Sequence, residues 1–209
     1  AKTLRKNEKG QILLDGGDNG QVEVSGTLNA SGIEAGQDAG NIKVIGQKTV
    51  VHDNTNLLAK GDNNGGKIET SGDVLNLGDN LNIDAKGVNG KAGEWLLDPL
   101  DVIIADSDPT VNYDSSTMGI LRYDGTTSSI TKDTTIAYHD PTADTAEATA
   151  TNTAVTWINS ETINTLLNQG TNVTIQAAAT NGVANITVNS AISKTAGGDA
   201  NFTLEAMRN

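Results

Sequence analysis

A short motif that recurs along the first half of the chain constrains the fold more than any other feature. It reads NGQVEVSG, AGNIKVIG, GGKIETSG and AGEWLLDP, starting at residues 19, 39, 65 and 92. Its aligned glycines lie 20, 26 and 27 residues apart, at Gly20, Gly40, Gly66 and Gly93. A second repeat, LNASG, LLAKG and IDAKG, interleaves with it from residues 28, 57 and 83. Such periods indicate stacked structural repeats.

Within each repeat, apolar and polar residues alternate, as in QVEV and NIKVI, which is typical of strands with one buried face. A unit of this length cannot bury its apolar side chains alone, so neighbouring units must cover one another. The sequence therefore predicts an all-β fold, a parallel β-helix (solenoid). A β-sandwich is disfavoured because it needs turns every 8–12 residues or so and more aromatic residues than 3%.

The repeats divide the chain into three regions. Residues 1–104 are predicted to form β-helix rungs, and residues 155–209 to form further rungs. Between them, residues 105–154 lose the repeat and end in the low-complexity run PTADTAEATATNTA, so we expect an extra-helical loop or flap there.

One short helix is predicted near residues 160–169, in the segment SETINTLLNQG. Ser160 is expected to be its N-cap and Gly170 its C-terminal stop. Ile163, Leu166 and Leu167 recur at helical spacing and should form its buried face.

Charge and composition restrict the partners. The chain has 14 Lys and Arg against 26 Asp and Glu, a net charge of −12, which argues against binding nucleic acid or anionic membrane surfaces. No apolar run approaches the roughly 18 residues of a membrane-spanning helix.

The absence of cysteine fits an exported bacterial protein, and the start AKTLRK without an initiator Met suggests a mature or excised segment. We expect a monomer.

Three segments resemble a known family: GEWLLDPLDVII, INSETINTLLNQGTNVTIQA and GVANITVNSAI, which start at residues 93, 158 and 182. They are similar to the filamentous-haemagglutinin-like exoproteins of two-partner secretion, in particular the high-molecular-weight adhesins. The positions that match the family pattern are Gly93, Trp95, Leu96, Leu97, Asp98, Pro99, Ile158, Ile163, Leu167, Gly170, Val173 and Ile175.

The resemblance implies a right-handed parallel β-helix that is exported through an outer-membrane secretion partner. It also implies a secreted or cell-surface location and a role in adhesion to host cells or bacterial aggregation, through a host receptor or glycan. The Asn-Pro-Asn-Gly-like motif of the family's secretion domain does not occur in this chain, so an internal or downstream segment is expected. Two alternatives remain open: a carbohydrate-active β-helix enzyme and a purely structural spacer.

Receptor contact is expected in the region between the two sets of rungs, because loops on a rigid scaffold carry recognition more often than the scaffold itself. The alternative is that these loops merely cover the side of the rod. The candidate contact residues are Tyr113, Arg122, Tyr123 and Tyr138.

Four Asn-x-Ser/Thr sequons occur, at Asn29, Asn172, Asn185 and Asn201. Some relatives in the resembling family are glycosylated at such sites, so glycosylation of these four residues is a hypothesis.

No catalytic residue, metal site or cofactor is predicted. His52 and His139 are isolated in the sequence, and the acidic turns DGGDNG and GDNNGG lack the spacing of known calcium loops. Trp95 takes the place of Val22, Ile42 and Ile68 in the repeat, so we expect it to fill the core with its N–H bonded to a partner. Pro99 cannot donate to a strand ladder and is expected at a corner.

Overall fold

The fold is described by a computed structural model over residues 3–6, 10–17, 19–106, 112–114, 119–123, 130–133, 155–179 and 184–208. Over these residues the chain is mostly β, and parallel sheets wind into a solenoid that carries one short helix. The prediction of a parallel β-helix is confirmed. In chain order the elements are β1 (Thr3–Lys6), β2 (Ile12–Asp15), β3 (Gln21–Val24), β4 (Thr27–Asn29), β5 (Asn41–Ile45), β6 (Lys48–Val51), β7 (Asn56–Leu58), β8 (Lys67–Ser71), β9 (Val74–Leu77), β10 (Asn82–Asp84), β11 (Glu94–Asp98), β12 (Asp101–Ala105), β13 (Asn112–Asp114), β14 (Gly119–Tyr123), β15 (Ile130–Asp133), β16 (Val155–Asn159), α1 (Ser160–Gln169), β17 (Asn172–Ala179), β18 (Ile186–Val188) and β19 (Phe202–Arg208).

The solenoid has three faces. The first is a seven-stranded sheet in the order β1-β2-β5-β8-β11-β17-β19, in which β1 is antiparallel to β2 and the other pairs are parallel. The second face holds the sheets β3-β6-β9 and β16-β12-β18, with β16 lying against β9. The third face holds β4-β7-β10. The strands β13, β14 and β15 form a separate antiparallel sheet.

The register of the first face stacks the inward side chains in ladders. Ile42 pairs with Ile68, Ile68 with Trp95, and Trp95 with Val173, and all four side chains are fully buried. The expectation that Trp95 takes the place of an Ile in the core is confirmed. Its indole Nε1 donates a hydrogen bond to the Oγ1 of Thr70 at 3.1 Å.

The predicted alignment of the first copy of the motif with the later copies is wrong. Val22 does not lie in the Ile42 ladder: it pairs with Thr49 on the second face, whereas Ile12 pairs with Ile42. The first turn therefore spans 30 residues, from Ile12 to Ile42. The error arises because QILL and QVEV are both short apolar strands near glycines, and nothing in their local pattern assigns them to different faces.

The second repeat is confirmed. Leu28, Leu57 and Ile83 pair in sequence on the third face, and the glycines that follow them are bridged in parallel. Glycine is required at the tight corners of the solenoid, because a Cβ on Gly66 would lie 1.9 Å from the carbonyl oxygen of Gly40.

The helix replaces a third-face strand and differs from prediction at its start. Its N-cap is Asn159, whose side chain accepts the N–H of Glu161 at 2.8 Å, and Ser160 lies inside the first turn. Asn and Ser are both good N-caps, and here the serine hydroxyl bonds elsewhere. Gly170 ends the helix at φ 85°, and Ile163, Leu166 and Leu167 are buried, as predicted.

The strand order on the second face changes after β11. β12 and β16 are parallel to each other. Although β16 comes later in the chain, it lies between β9 and β12. Pro99 lies at the expected corner between β11 and β12, and its carbonyl accepts the N–H of Ala178 at 3.2 Å. From β11 the chain therefore passes to β12 in the next turn of the stack. After the segment between β12 and β16, it returns to the stack at β16, one turn below β12.

Candidate functional site

The candidate site is the point where the chain leaves and re-enters the solenoid. The inserted segment, residues 107–154, connects the end of β12 to the start of β16. Because these strands are parallel and pair from Asp101↔Val155 to Ala105↔Asn159, the exit and the return lie at opposite ends of the strand pair. Four residue steps of about 3.3 Å separate them, or about 13 Å.

The exit is fixed by Asp106. Its backbone N–H donates to the Oγ of Ser190 at 2.9 Å, and its carboxylate accepts a hydrogen bond from the hydroxyl of Ser160. One residue therefore joins the end of β12 to the first turn of α1 and to the turn after β18.

The return is fixed by the pairing of Val155 with Asp101. Trp157, two residues further along β16, joins β16 to the exit end of β12. This side chain is partly buried, and its indole Nε1 donates to the carbonyl oxygen of Ala105 at 3.3 Å. The start of β12 is tied to β18, because the carboxylate of Asp101 accepts the N–H of Asn185 at 2.7 Å. Both ends of the inserted segment are thus held by the solenoid frame.

Three of the four proposed receptor-contact residues fall in one small sheet. Tyr113 lies in β13, paired with Ile120 of β14, and Arg122 and Tyr123 lie in β14 itself. The region predicted as a loop or flap therefore contains an antiparallel three-stranded sheet, which brings these three positions together. Tyr138 lies outside the described residues.

The outward side of the first face carries paired charges. Lys43 contacts Glu69 at 2.7 Å, and Lys67 contacts Glu94 at 3.1 Å; the hydroxyl of Thr174 donates to Glu94 at 2.6 Å. Exposed pairs of this kind contribute at most about 1 kcal/mol each. Each pair joins two adjacent turns, so together they bridge β5, β8 and β11.

Asp98 shares this face, and among the residues that the structure describes it forms no ion pair. Burial raises the pKa of its carboxyl above the ordinary value of 3.8, and the nearby carboxylate of Glu69 raises it further. On the turn surface, Asp38 shows the opposite effect: hydrogen bonds from the backbone and side chain of Asn64 lower its pKa.

The four sequon asparagines differ in accessibility. Asn29, Asn185 and Asn201 are exposed, whereas Asn172 is partly buried. The Oδ1 of Asn172 accepts the N–H of Asn201 at 2.8 Å, so this side chain is part of the bonding between turns.

The acidic turns hold their aspartates in backbone hydrogen bonds. The N–H of Gly17 donates to Asp15 at 2.7 Å, and the N–H of Gly36 donates to Asp62 at 2.7 Å.

The Nε2 of His52 lies 3.1 Å from the Oε2 of Glu23, and His139 lies outside the described residues. Within the described ranges, no group of three His, Cys, Asp or Glu side chains is arranged to hold a metal ion.

Sequence reasoning missed the frame around the inserted segment. Its residues come from separate parts of the chain, and no short motif joins them: Asp106, Trp157, Ser160 and Ser190.

The described part of the chain has no helix of the length and apolar character needed to span a membrane. Compared with known proteins, the chain matches no protein-family model and no curated protein sequence.

Proposed function

We propose that this chain is a rod segment of a secreted or cell-surface bacterial adhesin, and that the inserted segment makes the contact with a host receptor or glycan. The observation that carries the proposal is the frame at β12 and β16. Asp106 is bonded to Ser190 and Ser160 at the exit, the return is held by the pairing of Val155 with Asp101, and Trp157 bonds to the carbonyl oxygen of Ala105. Recognition segments are effective when a rigid scaffold positions them.

The solenoid suits the role of a scaffold. Its turns are joined by continuous strand ladders and by side chains that bond to the next turn, as Asn41 does to the N–H of Lys67 at 3.0 Å and Asn64 to the N–H of Lys91 at 2.9 Å. An elongated and stiff support holds a recognition element away from the bacterial surface. The resemblance to two-partner secretion exoproteins supports export through an outer-membrane partner.

The test is a binding screen with the purified chain coupled to beads. We expect the beads to adhere to host epithelial cells or to a defined subset of immobilised glycans, and uncoated beads to remain unbound. Because adhesion is assigned to this chain alone, absence of binding to every cell type and glycan tested would overturn the proposal.

A structural spacer is the second candidate, and the paired charges on the first face favour it. Lys43 and Lys67 are each engaged in an ion pair with the adjacent turn, which serves the stacking of turns rather than recognition. A spacer predicts that the coated beads bind nothing while the chain remains folded, so the same screen separates the two functions.

A further inference from the structure

Three Asn-Gly pairs lie in described connections between strands, and their surroundings differ. They are Asn19-Gly20 before β3, Asn64-Gly65 before β8 and Asn89-Gly90 before β11. A fourth pair, Asn181-Gly182, lies outside the described residues. An asparagine side chain reacts most readily with its own backbone when glycine follows it, because glycine has no Cβ to hinder the approach.

The reaction is deamidation through a cyclic imide. The backbone nitrogen of the glycine gives up its proton and attacks Cγ of the asparagine, the new N–Cγ bond closes a five-membered succinimide ring, and the side-chain nitrogen leaves as ammonia. Water then opens the ring at either carbonyl carbon, which yields aspartate or isoaspartate. The two reacting atoms must come within about 3–3.5 Å of each other, so bonds that hold the side-chain amide or the glycine N–H slow the reaction.

Asn64 is held on both atoms of its side-chain amide. Its Nδ2 donates to the carboxylate of Asp38 at 2.8 Å, and its Oδ1 accepts the N–H of Lys91 at 2.9 Å. The N–H of Gly65 donates to the carbonyl oxygen of Lys91 at 2.9 Å. Since Asp38 and Lys91 belong to the two adjacent turns, attack at Asn64 requires bonds between turns to break.

Asn89 is held in the same manner but by longer bonds. Its side chain is exposed, and its Nδ2 lies 3.1 Å from the carbonyl oxygen of Asp62 and 3.4 Å from the carboxylate of the same residue. The N–H of Gly90 donates to the carbonyl oxygen of Asn63 at 3.0 Å. Both partners belong to the preceding turn, so Asn89 is also restrained by the stacking of turns.

Asn19 lacks these restraints. Its side chain is exposed and forms no hydrogen bond among the residues that the structure describes. The N–H of Gly20 donates to the carbonyl oxygen of Gly17 at 3.2 Å, within the same connection. This bond can therefore open without separating two turns of the solenoid.

We propose that Asn19 is the site of spontaneous deamidation in the folded chain, and that Asn64 and Asn89 are protected by the bonding between turns. The conversion replaces an amide with a carboxylate, so it changes the net charge from −12 to −13. When the product is isoaspartate, the backbone of the connection to β3 also gains a methylene group. The reaction needs only water, so the modified form accumulates with the age of the protein.

A comparison of the folded chain with the chain in guanidinium chloride tests the proposal. Both samples are incubated in the same mildly alkaline buffer and digested, and mass spectrometry follows the replacement of NH2 by OH in each Asn-Gly peptide. In the denatured chain the three sites should react at similar rates, because they share the same dipeptide. In the folded chain Asn19 should react at close to its denatured rate, whereas Asn64 should react at least about tenfold more slowly than when denatured. Asn89 should lie between them.

Two variants separate the chemistry from the protection. Asn19→Gln keeps the amide but would require a six-membered ring, so its peptide should stay unmodified. Asp38→Ala removes the acceptor of the Asn64 side chain and should speed deamidation at Asn64 about fivefold. Asp73→Ala removes a carboxylate at an exposed residue between β8 and β9 and is the matched control, which should leave all three rates unchanged. Circular dichroism shows whether each variant is folded.

The result that supports the proposal is selective reaction at Asn19 with isoaspartate among its products, since direct hydrolysis of the amide yields aspartate alone. Equal rates at Asn19 and Asn64 in the folded chain would overturn it. So would strong protection of Asn19 on folding, a product at Asn19 that is aspartate alone, or an unchanged rate at Asn64 in folded Asp38→Ala.

Discussion

The indole Nε1 of Trp95 donates a hydrogen bond to the Oγ1 of Thr70, 3.1 Å away in the neighbouring turn, and both side chains are fully buried. The largest core side chain is thereby bonded to the strand beside it. Thr70→Val keeps the shape of the side chain but leaves the indole N–H without its acceptor. The variant should lose about 1–3 kcal/mol of unfolding free energy, measured by urea denaturation; an unchanged midpoint would show that the bond contributes nothing.

Thr156 provides the matched opposite case. Its hydroxyl is buried on β16 and, among the buried side-chain atoms that the structure describes, it lacks a hydrogen-bond partner. Thr156→Val removes a desolvated polar group at nearly constant volume, so the free energy of unfolding should rise by about 1 kcal/mol. The same urea titration checks it, and a loss of stability as large as that of Thr70→Val would contradict the assignment.

The close approach of backbone between turns predicts a glycine effect. Gly66→Ala places a Cβ 1.9 Å from the carbonyl oxygen of Gly40, so the corner must shift. We expect a loss of about 3 kcal/mol or more. Gly198→Ala is the control, because its Cβ has no neighbour within 4 Å. Similar melting temperatures for the two variants would show that the corner is not tightly packed.

Two aspartates predict opposite dependences on pH. The pKa of Asp98 is raised in the fold by burial and by Glu69, so its ionisation opposes folding, and stability falls as pH rises from about 3.8 through the folded pKa. The pKa of Asp38 is lowered by Asn64, so its contribution is present above about 3.8 and is lost as pH falls through the folded pKa.

Asp98→Asn should therefore raise the melting temperature at pH 7, and Asp38→Asn should lower it. Both differences from the unmodified chain should be smaller at pH 2 than at pH 7, because protonation of the carboxyls removes the charge on which the differences depend. Calorimetry at the two pH values measures the four differences. If both variants shift the melting temperature in the same direction at pH 7, at least one of the two pKa directions is wrong.

Much of the fold could be predicted because the side chains that stack in the ladders of a solenoid recur at nearly regular intervals in the sequence. Ile42, Ile68 and Trp95 lie 26 and 27 residues apart and stack as that spacing requires. The prediction failed at Val22, because period-two alternation identifies a strand but not the face to which it belongs. Asn159 and Ser160 are both good N-caps, and only the contact of Ser160 with Asp106 decides between them.

The frame of the candidate site could not be predicted, for a different physical reason. β16 fills the gap between β9 and β12 that is left where the chain climbs one turn, and neither strand's sequence records that gap. Asp106 meets Ser160 and Ser190 across 54 and 84 residues. Contacts at such separations follow from topology, whereas the repeats are visible in any short window.

The most direct test of the proposed function is to remove the inserted segment and keep its frame. Replacing residues 107–154 by about six Gly and Ser residues spans the distance of about 13 Å between exit and return, and Asp106 and Trp157 remain in place to hold the solenoid. The variant should retain its melting temperature within a few degrees. In the bead assay we expect its adhesion to host cells or glycans to fall at least tenfold relative to the intact chain, as about 1.4 kcal/mol of lost contact already gives; adhesion equal to that of the intact chain would contradict the assignment of recognition to the inserted segment.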